Sequence, residues 1–286
     1  MADEETWTDE PLVTVLGPTT VAGEPVTARQ RAILAALVLH RRRALTTELL
    51  IDAVWSDDVP RAARQSLQNQ ITRLRRRFGA DLVVTDGTGY RLGWATDVGR
   101  FDLLATTWLA REASPGAIRP LEAACAMWHG TPYVDLAELP AVEPERARIA
   151  ELQAAVADRL AMSRLVAGDV RRAVTELVVL AEEDPYRECR WELLMRALDR
   201  DQRQGEAIAV YERLADRLAN DLGVRPSEPL QRLRLDIQSG ATALSERELE
   251  PYTTEELRRE DARRHRCKER PLSCGPSRPL FFRGAR

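Results

Sequence analysis

One segment, Arg61 to Trp94, limits the fold more than any other. Its first part, Gln65-Ser66-Leu67-Gln68-Asn69-Gln70-Ile71-Thr72-Arg73-Leu74-Arg75-Arg76-Arg77-Phe78, places Leu67, Ile71, Leu74 and Phe78 on one narrow helical stripe. Gln65, Asn69, Thr72, Arg73 and Arg76 fall on the opposite side. Such a helix buries one edge in a small domain and offers amides and guanidiniums outward. The second part, Leu82-Val83-Val84-Thr85-Asp86-Gly87-Thr88-Gly89-Tyr90-Arg91-Leu92, holds two β-rich runs around Asp-Gly and a second glycine, a strong hairpin signal. A recognition helix followed by a hairpin wing predicts a winged helix-turn-helix, and hence contact with DNA.

Charge supports that reading through its distribution. Residues 25–95 carry 12 Arg against 6 acidic residues, whereas residues 96–245 carry 19 Arg against 25 acidic residues. A basic module followed by an acidic one suits a chain whose first part meets nucleic acid. A charge imbalance alone is also what solvated surfaces give. The concentration of arginine on the one helix with outward amides favours DNA.

The chain has 286 residues, 44% hydrophobic and 30% charged, which is enough for two globular domains and their cores. No apolar run approaches the roughly 20 residues that cross a bilayer. The opening Met-Ala-Asp-Glu-Glu is acidic where a secretory signal would be basic, so a cytoplasmic location is expected. Cys125, Cys189, Cys267 and Cys274 form no Cys-x-x-Cys pair and read as reduced thiols. His265, Cys267 and Cys274 lie close together, but their spacing matches no zinc pattern. The only lysine is Lys268, outside any phosphate-loop context. His40, His129 and His265 are far apart, with no metalloprotease, hydrolase or phosphate-loop motif around them, so no enzyme and no cofactor are expected.

The pattern along the chain predicts a loose, acidic segment over 1–10 and a winged helix-turn-helix over 11–95. Within the latter, short strands and turns run from Pro11 to Val26, and Thr27 caps a helix from Ala28 to His40 that Arg41-Arg42-Arg43 ends. Thr46 or Thr47 caps a second helix, Glu48 to Trp55, and Asp57-Asp58-Val59-Pro60 breaks the chain before the recognition helix. From 96 to 240 the pattern is helical, with helices near 100–112, 117–128, 145–167, 170–183, 187–200, 204–221 and 227–238. Ala173, Leu177 and Leu180 return 34 residues later as Ala207, Tyr211 and Leu214, the tetratricopeptide period. The fold class is therefore mainly α, with an α+β N-terminal domain and an all-α tetratricopeptide-like second one. Residues 241–286 read as a charged, largely disordered tail with a short helix near 254–265.

The outward face of the recognition helix assigns roles. Asn69, Thr72, Arg73 and Arg76 are candidates for base contact, since arginine pairs with guanine and asparagine with adenine through two hydrogen bonds. Arg64, Arg75, Arg77 and Arg91 flank that face and are candidates for phosphate. Thr47 is a candidate for a main-chain contact to phosphate at a helix start. Trp55, Trp94, Trp128, Trp191 and Tyr90 read as packing residues. The competing class is a helical-repeat scaffold or sensor without sequence-specific DNA binding.

The chain resembles the Streptomyces antibiotic regulatory protein (SARP) family, in which an OmpR-type winged helix is joined to a bacterial transcriptional activation domain. The resemblance covers about residues 11–240. It rests on Val15-Leu16-Gly17-Pro18, Arg29-Gln30-Arg31-Ala32-Ile33-Leu34, Leu49-Leu50-Ile51-Asp52-Ala53-Val54-Trp55, Ile71-Thr72-Arg73-Leu74-Arg75 and Gly89-Tyr90-Arg91-Leu92. Further along it rests on Phe101, Ala126-Met127-Trp128-His129-Gly130, Asp184-Pro185-Tyr186-Arg187-Glu188 and Leu222-Gly223-Val224-Arg225-Pro226. The resemblance implies an activator that binds direct repeats in promoter DNA as a homodimer and recruits RNA polymerase, often at a biosynthetic (antibiotic) gene cluster. Family wings commonly carry a basic residue near the hairpin tip, where this chain has Asp86. Longer relatives continue into a nucleotide-binding ATPase module. Arg278-Pro279-Leu280-Phe281-Phe282-Arg283-Gly284 faintly resembles its entrance, without a phosphate loop behind it.

Overall fold

The computed structural model describes residues 12–240, apart from 42, 56–58, 88 and 137–138. The expectations for residues 1–10 and for the tail, including a helix near 254–265 and the His265, Cys267 and Cys274 group, lie outside the described residues. So do Arg42 and Asp57-Asp58.

The winged helix is built on two small sheets. Strands β1 (Leu12–Thr14), β2 (Thr20–Val21) and β3 (Glu24–Pro25) form an antiparallel meander. A second sheet joins β4 (Leu45–Thr46) to the wing hairpin β5 (Val83–Asp86) and β6 (Gly89–Leu92), in the order β4-β6-β5. The hairpin register pairs Val83 with Leu92 and Asp86 with Gly89. Gly87 takes φ +59° at the turn, the left-handed conformation that Asp-Gly turns require. At Gly89 a Cβ would stand 2.0 Å from the Leu45 carbonyl oxygen, so only glycine lets β6 lie against β4.

Helix α1 (Ala28–Leu39) starts at a capping box. Gln30 N–H donates to the Thr27 hydroxyl at 3.4 Å, and Thr27 N–H donates to Gln30 Oε1 at 3.1 Å. Ile33 through Val38 are all buried, so α1 is enclosed on every side as the centre of the domain. Helix α2 (Thr47–Trp55) is capped by the earlier of the two candidate threonines, because Leu49 N–H donates to Thr46 Oγ1 at 3.3 Å. Helix α3 (Ala63–Phe78) buries Leu67, Ile71 and Leu74 to 1% exposure or less, with Phe78 partly buried. Burial of each such side chain contributes about 1.5–3 kcal/mol, which fixes the helix's rotation about its axis.

The helical half comprises α4 (Asp97–Leu109), α5 (Ile118–Ala126), α6 (Glu143–Val166), α7 (Val170–Glu183), α8 (Glu188–Arg200), α9 (Gln204–Leu222) and α10 (Glu228–Ser239). Successive helices pack on one another from α5 to α10. The 34-residue repeat places Ala173 of α7 and Ala207 of α9 at fully buried, equivalent positions; one turn on, Leu177 is buried and its counterpart Tyr211 partly so, and two turns on, Leu214 is buried and its counterpart Leu180 partly so. Trp191 is buried in α8, and Trp128 meets Phe101 edge to face at 5.4 Å.

Helix α4 begins three residues before its sequence-based start, because tertiary contacts fix it. Thr96 caps it by accepting Gly99 N–H at 3.0 Å, and β7 (Ala95–Thr96) pairs in parallel with β1. That pairing joins two segments more than 80 residues apart and has no local signal. The Asp97 carboxylate is buried there and accepts from Val15 N–H at 2.9 Å and Leu16 N–H at 2.8 Å. One hydrophobic core therefore runs without a break from Val13 through the winged helix into α4, α5 and α6 as far as Leu160. No helix among the described residues is long and apolar enough to cross a membrane.

Candidate nucleic-acid interface

The outward face of α3 carries Gln65, Gln68, Asn69, Thr72, Arg73 and Arg76, all exposed. Arg73 and Arg76 have no hydrogen-bond or ion-pair partner among the described residues. Asn69 Oδ1 accepts from Gln65 Nε2 at 3.2 Å, which leaves the Asn69 amide donor group outward. Thr72 donates its hydroxyl to the Gln68 carbonyl at 2.8 Å. Its single proton is thus used on the helix, so toward a ligand Thr72 offers only lone pairs and a methyl group. Gln68 was not among the sequence-based candidates. Its position, three after Gln65 and four before Thr72, is the wheel signal that could have found it.

The flanking arginines are spoken for. Arg64, in the first turn of α3, pairs with Glu48 in the first turn of α2. Arg77, in the last turn, meets Glu24 of β3 at 2.6 Å and donates to the Pro25 carbonyl at 3.2 Å. Arg91 of β6 lies 3.4 Å from Asp86 across the wing turn. These carboxylates are far from their partners in sequence or sit across a turn, and periodicity does not reveal them.

Arg75 differs from the other three. Its Nε donates to the Val83 carbonyl at 2.7 Å, its Nη2 donates to Thr85 Oγ1 at 2.9 Å, and its guanidinium lies 5.9 Å from the centre of the Tyr90 ring. Two of its donors and one face hold the wing against α3, so Arg75 has a positioning role. The Thr47 side chain is buried, so a phosphate contact there rests on main-chain N–H groups of α2, of which Leu49's is taken by Thr46. Trp94 steadies the far end of the hairpin by donating its indole N–H to Asp81 at 2.9 Å. Trp55 lies under the Arg29 guanidinium at 4.4 Å.

Behind this face, polar contacts tie the winged helix to the helical half. Arg31 Nε meets Asp135 at 2.6 Å, and the same carboxylate accepts Thr19 N–H at 3.0 Å. Arg41, just beyond α1, bridges Asp102 of α4 at 2.5 Å and Glu145 of α6 at 3.2 Å, and Arg148 closes the ring onto both acids. Burial alone would raise the Glu145 carboxyl, but the hydrogen bonds and charges of Arg148 and Arg41 hold it below its ordinary value. His40 beside them is pushed down by burial and by Arg43, which favours the neutral imidazole. Asp97 is pulled the other way: burial raises its carboxyl, against three backbone N–H groups that favour the anion.

Comparison with known proteins places the geometry in a family. Residues 23–92 match the family described as transcriptional regulatory protein, C terminal, and residues 96–238 match the bacterial transcriptional activator domain. The transcriptional regulatory protein EmbR of Mycobacterium tuberculosis (strain ATCC 25618 / H37Rv) is 33% identical over 77% of this chain and 61% of its own length. The regulatory protein AfsR of Streptomyces coelicolor is 34% identical over 80% of this chain, which spans 24% of AfsR. The transcriptional regulatory protein MoaR1 of Mycobacterium tuberculosis is 31% identical over 72% of this chain and 71% of its own length. The chain thus spans less than two thirds of the EmbR and AfsR sequences. The solved structure of Mycobacterium tuberculosis EmbR in complex with a low affinity phosphopeptide superposes with a TM-score of 0.70 at 29% identity, over 93% of this chain and 73% of that one. The chain belongs to the Streptomyces antibiotic regulatory protein family of transcriptional regulators, with an OmpR-type winged helix followed by a bacterial transcriptional activator domain.

Proposed function

We propose that this chain is a sequence-specific, DNA-binding transcriptional activator. Residues 11–95 engage promoter DNA, and residues 96–240 present a helical surface to RNA polymerase. One observation carries the reading. Helix α3 turns its apolar stripe into the core and leaves Arg73 and Arg76 exposed without a protein partner, beside Asn69 and Thr72. An exposed guanidinium fork that the protein does not satisfy is suited to guanine O6 and N7 or to phosphate. Asn69 and Gln68 add amides that match adenine. Arg64, Arg77 and Arg91 reach backbone phosphates after exchanging their carboxylate partners, and Arg75 sets the wing.

Two copies on direct repeats near a promoter, at a biosynthetic gene cluster, complete the proposal; its support is family membership. Selection of bound duplexes from a random-sequence pool tests the central reading. Enrichment of a repeated motif, lost in Arg73→Ala/Arg76→Ala, is expected. A chain that enriches no motif is instead a helical-repeat scaffold.

A further inference from the structure

Arg75 aside, the DNA-candidate arginines on and beside α3 divide into two sets. Those on the outward face, Arg73 and Arg76, are unpartnered among the described residues, whereas Arg64, Arg77 and Arg91 each face a carboxylate: Glu48, Glu24 and Asp86. The three pairs bracket the surface, one at each end of the helix and one at the wing. All six side chains are between 47% and 64% exposed, so they stand where a duplex backbone would pass.

We propose that Glu24, Glu48 and Asp86 act as internal competitors of DNA phosphate, holding down sequence-independent binding so that the chain settles where its outward face meets the right bases. This rests on the DNA-binding reading above.

Sequence-independent affinity comes essentially from phosphate neutralisation and the release of condensed counterions. An arginine already paired with a carboxylate contributes almost no net charge to that release. To neutralise a phosphate it must leave its partner, which then stands beside the phosphate as a like charge within a screening length. Exposed ion pairs are weak enough to exchange, so the acids tax phosphate contacts without forbidding them. Base contacts from Arg73 and Arg76 carry no such tax. The acids therefore act most on complexes that have only backbone contacts. Asp86 has a double effect, since it occupies Arg91 and places a negative charge at the tip of the wing, where a narrow minor groove is itself strongly negative.

The test is the charge-neutral variant Glu24→Gln/Glu48→Gln/Asp86→Asn, titrated with a random-sequence duplex over a range of salt concentrations. Binding about tenfold tighter than wild type at low salt is expected, with a log–log salt slope steeper by up to about 0.9 for each carboxylate removed. Glu48→Gln alone, which changes one exposed group, carries part of the effect and guards against a folding defect in the triple variant. Unchanged affinity and slope, in a variant melting with wild type and a wild type that selects a motif, overturn this inference alone. A wild type that selects no motif from a random pool overturns the DNA-binding reading and this inference together.

Discussion

Arginine has opposite fates on the two sides of the winged helix. Toward α4 and α6, Arg31 and Arg41 are partly buried and locked to Asp135, Asp102 and Glu145. On the outward side of α3, Arg73 and Arg76 have no hydrogen-bond or ion-pair partner among the described residues. The same residue type staples two halves together at one surface and stays available at the other. What separates the roles is whether a carboxylate from another element comes within reach. The contrast also explains why the halves share a core while the recognition face stays bare. The orientation of α3 is set by apolar burial, which leaves its polar groups for a partner.

The largest expected effect comes from Asp97, which ties β1 to the start of α4. Asp97→Ala strands the buried Val15 and Leu16 N–H groups, at about 1–3 kcal/mol for each orphaned donor. A urea midpoint should fall accordingly, while Asp97→Asn, which keeps one acceptor oxygen, loses less. An Asp97→Ala protein as stable as wild type would mean that β1 is not held by this carboxylate. On the opposite surface, Arg73→Ala should weaken binding to a selected duplex by about 1–3 kcal/mol and blur one position of the motif, with the melting temperature unchanged. Equal loss at every position would assign Arg73 to phosphate.

Arg75 sits between the two extremes. Arg75→Ala should loosen the wing, seen as faster amide exchange at Thr85 and Tyr90, and weaken all DNA binding by about 1 kcal/mol. Unchanged exchange would remove its positioning role. The smallest effect belongs to the Arg41 ring. A carboxyl held below its unfolded value gives stability that is complete above that value, about 4.3, and is lost as pH falls through the folded one. Wild type should therefore exceed Glu145→Gln in stability at neutral pH, by about 1 kcal/mol for a pair only partly shielded from water. The gap should close below about pH 4. A gap independent of pH would place the effect in packing.

Much of this was legible in the sequence. Local periodicity located the helices of the second half to within a few residues, and Asp-Gly located the wing turn. The apolar stripe of α3 also pointed the right way, since Leu67, Ile71 and Leu74 are all buried. Contacts between distant segments were not legible. The β1·β7 pairing, the Asp97 staple and the Glu24–Arg77 pair depend on chain folding that no window of residues encodes. The same blindness affected Arg75. On a helical wheel it resembles its neighbours, and only the docked hairpin shows that it anchors the wing.

The central claim, that the outward face of α3 lies against bases, is tested most directly by a structure of this chain with a duplex that it selects. The account predicts Arg73 and Arg76 guanidiniums within hydrogen-bond distance of base edges in the major groove, with Leu67, Ile71 and Leu74 still buried. A complex in which that face looks into solvent or onto another polypeptide, while the duplex lies elsewhere, would contradict it.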